Sequence, residues 1–330
     1  MALTRRLRGP LLWLRPYRAA HLLLWLRPYR AAHLLLLPAL AILAPGCSVK
    51  TLAVNALGKS LADGGGTYAK DDDPELVAGA IPFGLKTIEG LLEASPKNPD
   101  LLFAAASGFV QYGYAFVGQE ADFVEAKDFA RALELRGRAK RLYARARGYG
   151  FRGLEVSMPG FTSGIRTDLE ATLARATKKD VALLYWTAAA WGAQISMSKE
   201  DSELTADLDL AAALARRALV LDETFGAGSI HDFFLSYEGA RPPSAGGSPA
   251  RAREHFARAV AISSGHRAGP YVSLAEVVCV GAQNKQEFTE LLEKALAVDV
   301  NADPEQRLAN LIAQKRARWL LTRVDDLFIE

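Results

Sequence analysis

The groups that could make or break bonds are few. Beyond residue 46 there are three histidines, His231, His255 and His266. None is spaced from another His or from a Cys as zinc ligands are, so no metal set is expected. His255 lies in REHFARA, a helical surface pattern, and reads as solvent-facing. His231-Asp232 follows a turn and reads as a helix cap. No Gly-x-Ser-x-Gly turn presents a nucleophilic serine, and no phosphate loop or dinucleotide fingerprint is present. Gly148, Gly150 and Gly153 are too spread for a phosphate loop and follow a helix. The expectation is a protein with no catalytic residue and no cofactor. A cell-envelope hydrolase is the enzyme alternative.

The two cysteines, Cys47 and Cys279, differ in setting. Cys279 stands in VVCVG and reads as a buried, inert thiol. Cys47 ends an N-terminal segment of export-signal layout: Arg-rich to Arg30, apolar over Leu34–Leu43, then Ala44-Pro45-Gly46. Small residues before a Cys resemble a bacterial lipoprotein cleavage site, where the Cys is acylated. An uncleaved anchor over Ala31–Val49 is the alternative, but two prolines and a His make it a poor span. Leu11–Leu22 recurs unchanged at Leu23–Leu34, a tandem copy that lengthens the basic region. The reading is therefore residues 1–46 as a lipoprotein signal and 47–73 as a flexible lipid tether rich in Gly and Asp. Residues 74–330 form the folded domain.

Charge excludes one class of partner. Residues 1–46 carry seven Arg and no acid, which leaves 33 basic and 37 acidic residues in 47–330. A weakly acidic body lacks the positive face that nucleic-acid binding needs.

Two uncharged segments, Leu101–Gln119 and Val181–Met197, mix aromatic rings with Ala triplets and Gly. A helix apolar all round is buried in a core or a membrane, and the interspersed Gln, Thr and Ser favour a protein core. Phe103, Phe109, Tyr112, Phe116, Tyr185, Trp186 and Trp191 are either ordinary core or the lining of an apolar channel or pocket. Lys315, Arg316 and Arg318 lie on a helix beside Trp319. They are either a solvated face or a docking patch for an acidic partner.

The elements that position these groups are helical. Apolar spacings of three and four dominate after residue 73, and no alternation of period two appears. Asp73-Pro74, Asn98-Pro99, Ser248-Pro249 and Asp303-Pro304 each place a capping side chain before a Pro at the first helical position. Pro82, between Gly79 and Gly84, is expected to kink or split the first helix. Four joints, at 91–109, 215–234, 255–276 and 291–311, repeat one layout of helix, polar turn and helix. Ala218, Ala259 and Ala295 mark a spacing near the ~34-residue tetratricopeptide period. The expected fold is all-α, a degenerate tetratricopeptide-like repeat superhelix with a concave surface.

Several phrases taken together resemble one family, the TRAP-transporter-associated tetratricopeptide lipoproteins, the T component of tripartite ATP-independent periplasmic transporters. They include DDDPELVAGAIPFGLKTIEGLLEASPKN (71–98), GFVQYGYAFVGQEAD (108–122), LYWTAAAWGAQISMSKE (184–200) and EFTELLEKALAVDVNADPEQRLANLIAQKRARWLL (287–321). With LYARARGYGFRGLE (142–155), AREHFARAV (252–260) and YVSLAEVVCV (271–280) they run in order through nearly all of 71–328. The resemblance implies a periplasmic lipoprotein tethered to a membrane, the outer more than the inner. It implies a periplasmic solute-binding protein as partner, and a homotrimer with apolar pores through its subunits. The function so implied is docking that partner and holding or channelling an apolar or amphipathic carboxylate. A generic envelope scaffold that binds peptides and no small molecule is the alternative.

Overall fold

The structure is a computed structural model that describes residues 65–329. Cys47, the signal segment and most of the tether lie outside the described residues. Helices dominate, and there is no strand among the described residues. The elements include α1 (Pro74–Ala94), α2 (Pro99–Tyr112), α3 (Phe129–Ser157), α4 (Phe161–Thr167), α5 (Leu169–Ala174) and α6 (Val181–Ser196). They continue with α7 (Leu208–Leu221), α8 (Ser229–Gly239), α9 (Pro249–Ile262), α10 (Gly269–Leu274), α11 (Lys285–Ala297) and α12 (Arg307–Leu321).

The starts form where capping chemistry places them. Asp73 accepts from the amides of Glu75 and Leu76, Asn98 from Leu101 and Ser248 from Arg251, each with Pro at the first position. Such caps contribute about 1 kcal/mol each. Pro82 behaves otherwise than expected: α1 continues through it. The helix lacks one backbone bond there, but Val77, Leu85, Ile88 and Leu92 are buried on both sides of the proline. Packing of that face offsets the local cost.

All four repeated joints are helix–turn–helix connections. Apolar cores follow one another along the chain. Leu85, Leu101, Phe109 and Tyr143 belong to the first, Leu154, Phe161, Trp191 and Ile230 to the second, and Leu274, Phe288, Leu292 and Leu320 to the third. Pro99–Val124 is one helix long and apolar enough to cross a membrane, and most of it is buried against its neighbours. Its apolar character is thereby used within the protein.

The first of the described helices meet α12, the last long one. Helix α12 packs against α1 and against a short helix, Gly65–Ala69. Lys70 Nζ lies 2.6 Å from Glu305, and Arg307 Nη1 donates to the Lys70 carbonyl at 2.9 Å. Farther along α12, Arg316 Nη1 pairs with Asp122 at 3.0 Å, and the Trp319 ring lies edge-on to Phe123 with centroids 5.3 Å apart. These latches close the stack of hairpins into a ring, a closure that the expected superhelix with a concave surface did not specify. The end of the expected tether, Gly65 to Lys70, is part of that closure and not free chain.

Candidate functional site: the interior of the ring

Two of the inward helices are locally unwound. Helix α2 passes into a π-helical segment, Gly113–Gly118, and then continues over Gln119–Val124; α10 passes into another, Ala275–Cys279. Single-turn π segments often mark functional positions, because the extra residue re-aims a side chain. Here the re-aimed residues include Tyr114 and Glu276.

Tyr114 is 54% exposed, yet its phenol pKa is raised, first by desolvation. Both facts describe one place, a side chain reached by water but ringed by protein. Arg316 of α12 opposes the shift, while Glu276 of the α10 π segment and Asp232 of α8 reinforce it. The Tyr185 phenol of α6 is also pushed up by burial, and Asp232 and Arg267 act on it in turn. Side chains from α2, α6, α8, α10 and α12 thus face one interior space. Its polar members are paired around its wall. Arg316 donates to Glu276 through Nε and Nη2 at 2.6–3.1 Å, and Arg267 Nη2 donates to Asp232 Oδ2. Burial raises the Asp232 pKa, and its Oδ1 has no hydrogen-bond partner among the described residues.

The expected site residues divide. Phe109, Tyr112 and Trp191 are buried and serve as core, the bland alternative. Tyr112 is held by Arg138, whose Nη2 donates to its hydroxyl at 3.1 Å. Phe103, Phe116, Tyr185 and Trp186 are half-buried. Tyr185 lies edge-on to Trp186 with centroids 5.0 Å apart, beside Phe225 at 5.4 Å. Lys315 and Arg318 are exposed, but Arg316 is turned into the ring. A guanidinium clamped between Asp122 and Glu276 is unavailable to a surface partner. The residues missed by sequence reasoning are Tyr114, Asp232, Arg267 and Glu276. The signal for Glu276 was available as a lone acid inside the apolar run YVSLAEVVCV.

His231 and His255 also depart from expectation. His231 is buried, and its Nδ1 lies 2.8 Å from Nδ1 of His255, which stacks on Phe234 with centroids 5.1 Å apart. On its other side His231 Nε2 meets Glu223 at 3.1 Å. The pair bridges α8 and α9. No group of three or more potential metal ligands occurs among the described residues. Desolvation lowers both imidazole pKa values below the ordinary 6.5. Glu223 opposes the shift at His231, while the second imidazole adds to it at His255; Arg258, Asp232, Glu238, Glu254 and Arg251 act more weakly. The unfolded chain regains its ordinary proton affinity, so stability is full above about pH 6.5 and declines as pH falls below it. Thermal melts at pH 7.5 and 5.5 should show the loss, and His231→Gln with His255→Gln should flatten it. An equal decline in that double variant would refute the assignment.

Cys279 is fully buried and its thiol is pushed up to about 12 by burial, as an inert cysteine should be.

An all-α ring with a water-reached, charge-bearing interior is the class defined by this geometry. The chain matches the family model for the TRAP transporter T-component over residues 70–328, and it belongs to that family. It is also similar to an uncharacterised protein of Treponema pallidum (strain Nichols), 30% identical over 310 residues, covering 88% of this chain and 96% of the relative.

Proposed function

We propose that this T-component docks a solute-binding protein and holds an amphipathic carboxylate in the interior of the ring, tethered in the periplasm through an acyl group on Cys47. A homotrimer of tetratricopeptide-like subunits is part of the same reading. The supporting observation is Tyr114, a phenol reached by solvent yet desolvated, on which Arg316 of α12, Glu276 of the α10 π segment and Asp232 of α8 all act. Rings at Tyr114, Tyr185 and Trp186 supply apolar contact, and Arg267 and Arg316 supply the positive charge that a carboxylate seeks. Because both arginines already have acid partners, such a ligand would exchange with Asp232 or Glu276 for them. A scaffold with no small-molecule ligand would have no use for a wet chamber inside a closed ring.

Native mass spectrometry of protein taken from the membrane fraction tests the reading. The expected mass carries an acyl modification and a bound carboxylate or lipid. Tyr114→Arg should fold and lose the bound species, because that side chain stands in open space. Trp191→Arg should fail to fold, because that ring is 1% exposed. A clean mass together with peptide binding would favour the scaffold.

A further inference from the structure

The outer helix α3 carries eight basic and two acidic residues, in a body whose remainder is acidic. Three of the arginines, Arg138, Arg145 and Arg152, recur at intervals of seven and are all exposed. Seven residues span two helical turns, so the three form a nearly straight row with steps of about 10 Å. Each guanidinium lies over an aromatic ring. Arg138 stands 5.5 Å from the Tyr112 centroid, Arg145 5.3 Å from Phe109 and Arg152 5.2 Å from Tyr149. Phe109 and Tyr149 are themselves stacked, with centroids 6.0 Å apart and planes within 11°. Two of the heads are fixed further by hydrogen bonds: Arg138 donates to the Tyr112 hydroxyl, and Arg152 donates to the Pro96 carbonyl at 2.9 Å.

Most other cations on this helix are neutralised. Arg131 pairs with Glu134, Arg136 with Asp122 and Glu125, and Lys140 with Glu200. Among the described residues, only Arg145 of the row has an acid within ion-pair distance, Glu89 at 3.5 Å, which it shares with Lys86. Flexible surface cations lose rotamer entropy when they bind, whereas these three are already ordered on their rings. A planar fork on a ring keeps its outer N–H groups for a carboxylate.

We infer that this row is a docking surface for a partner protein that presents an acidic helix, with carboxylates two turns apart. A helix matches the row because its own seven-residue spacing repeats the step of about 10 Å. A membrane fits less well. Of the exposed large apolar residues of α3, Phe129 and Leu133 lie about 140° around the helix from the row, and only Val156 stands on its side, so the row has no apolar patch to set into a bilayer. This surface is on the outside of the ring and is independent of what the interior holds.

Fluorescence anisotropy with the purified full-length chain tests it. The probe is a labelled helical peptide with Glu at three positions seven apart, beside an isomer with the same Glu count at other spacings. The expected result is at least tenfold tighter binding of the spaced peptide, weakening as salt rises. Arg138→Gln, Arg145→Gln and Arg152→Gln together should erase the difference, while Lys127→Gln with Arg141→Gln should preserve it. Equal binding of the two peptides overturns the inference. That comparison uses only the unaltered chain and so stands even where the triple variant folds poorly. Row-dependent binding to vesicles of anionic phospholipid without preference between the peptides overturns it too. So does row-dependent self-association of the chain, measured by sedimentation, under the same condition.

Discussion

Gly150→Ala should cost this protein about 3 kcal/mol and lower its melting temperature by on the order of 10 °C. Gly150 is mid-helix in α3, where glycine is ordinarily the weaker choice and alanine the better one. Propensity alone predicts that the change stabilises. The packing reverses the sign. A Cβ at Gly150 would overlap Thr187 Oγ1 on α6 and stand 3.0 Å from its Cβ. Thr187 is fully buried, and its hydroxyl donates to the Leu183 carbonyl at 2.5 Å, so it cannot rotate away without orphaning that group. Gly153, one turn on, meets Leu183 in the same way, with a Cβ falling 2.8 Å from its Cδ2. These two glycines set the distance between α3 and α6, which in turn fixes the wall that carries Tyr185 and Trp186. The double variant Gly150→Ala with Thr187→Ala should recover much of the loss, since it removes the clashing atom. Differential scanning calorimetry decides the matter; an unchanged or higher melting temperature for Gly150→Ala would show that α3 and α6 are not in this contact.

Arg316→Met should be comparably damaging, at about 3 kcal/mol. The side chain is 13% exposed and is shared by Glu276 and Asp122, at 24% and 29%. Removing it leaves two carboxylates close together with one cation fewer. Asp122 keeps Arg136 at 3.2 Å, but Glu276 keeps no ion-pair partner among those described. Adding Glu276→Gln should therefore restore part of the stability. The second readout is local. Because Arg316 joins α12 to the Gln119–Val124 helix that continues α2, amide exchange should rise at the Asp122 and Trp319 contacts, and at the Lys70 latch, more than in the middle of the chain. Uniform exchange across the protein would mean that the pair stabilises the fold without holding the ring shut.

How much of this was legible in the sequence follows from the range of each interaction. Capping is local, so Asp73, Asn98 and Ser248 marked helix starts correctly. Apolar periodicity is nearly local and gave the helical class. The ring-bearing segments were visible, but composition cannot say which ring faces a neighbour and which faces a cavity. Trp191 and Trp186 share one helix, and only the first is buried. Tyr114 escaped notice because a π segment breaks the period of 3.6 on which face assignment relies. Arg316 read as surface because its neighbours Lys315 and Arg318 are surface, and its partners lie 40 and 194 residues away. The pairing of His231 with His255 is likewise a product of how α8 meets α9, at a separation that no motif spacing describes.

A spiral of hairpins can lengthen by one unit and merely extend its groove. A closed loop has a circumference, and an extra unit would pull Lys70 from Arg307 and Asp122 from Arg316 at once. Relatives that keep these latches are thus bound to the same number of hairpins. Divergence among such proteins would then fall on individual side chains of the inward faces of α2, α6, α8, α10 and α12, and not on growth or loss of hairpins.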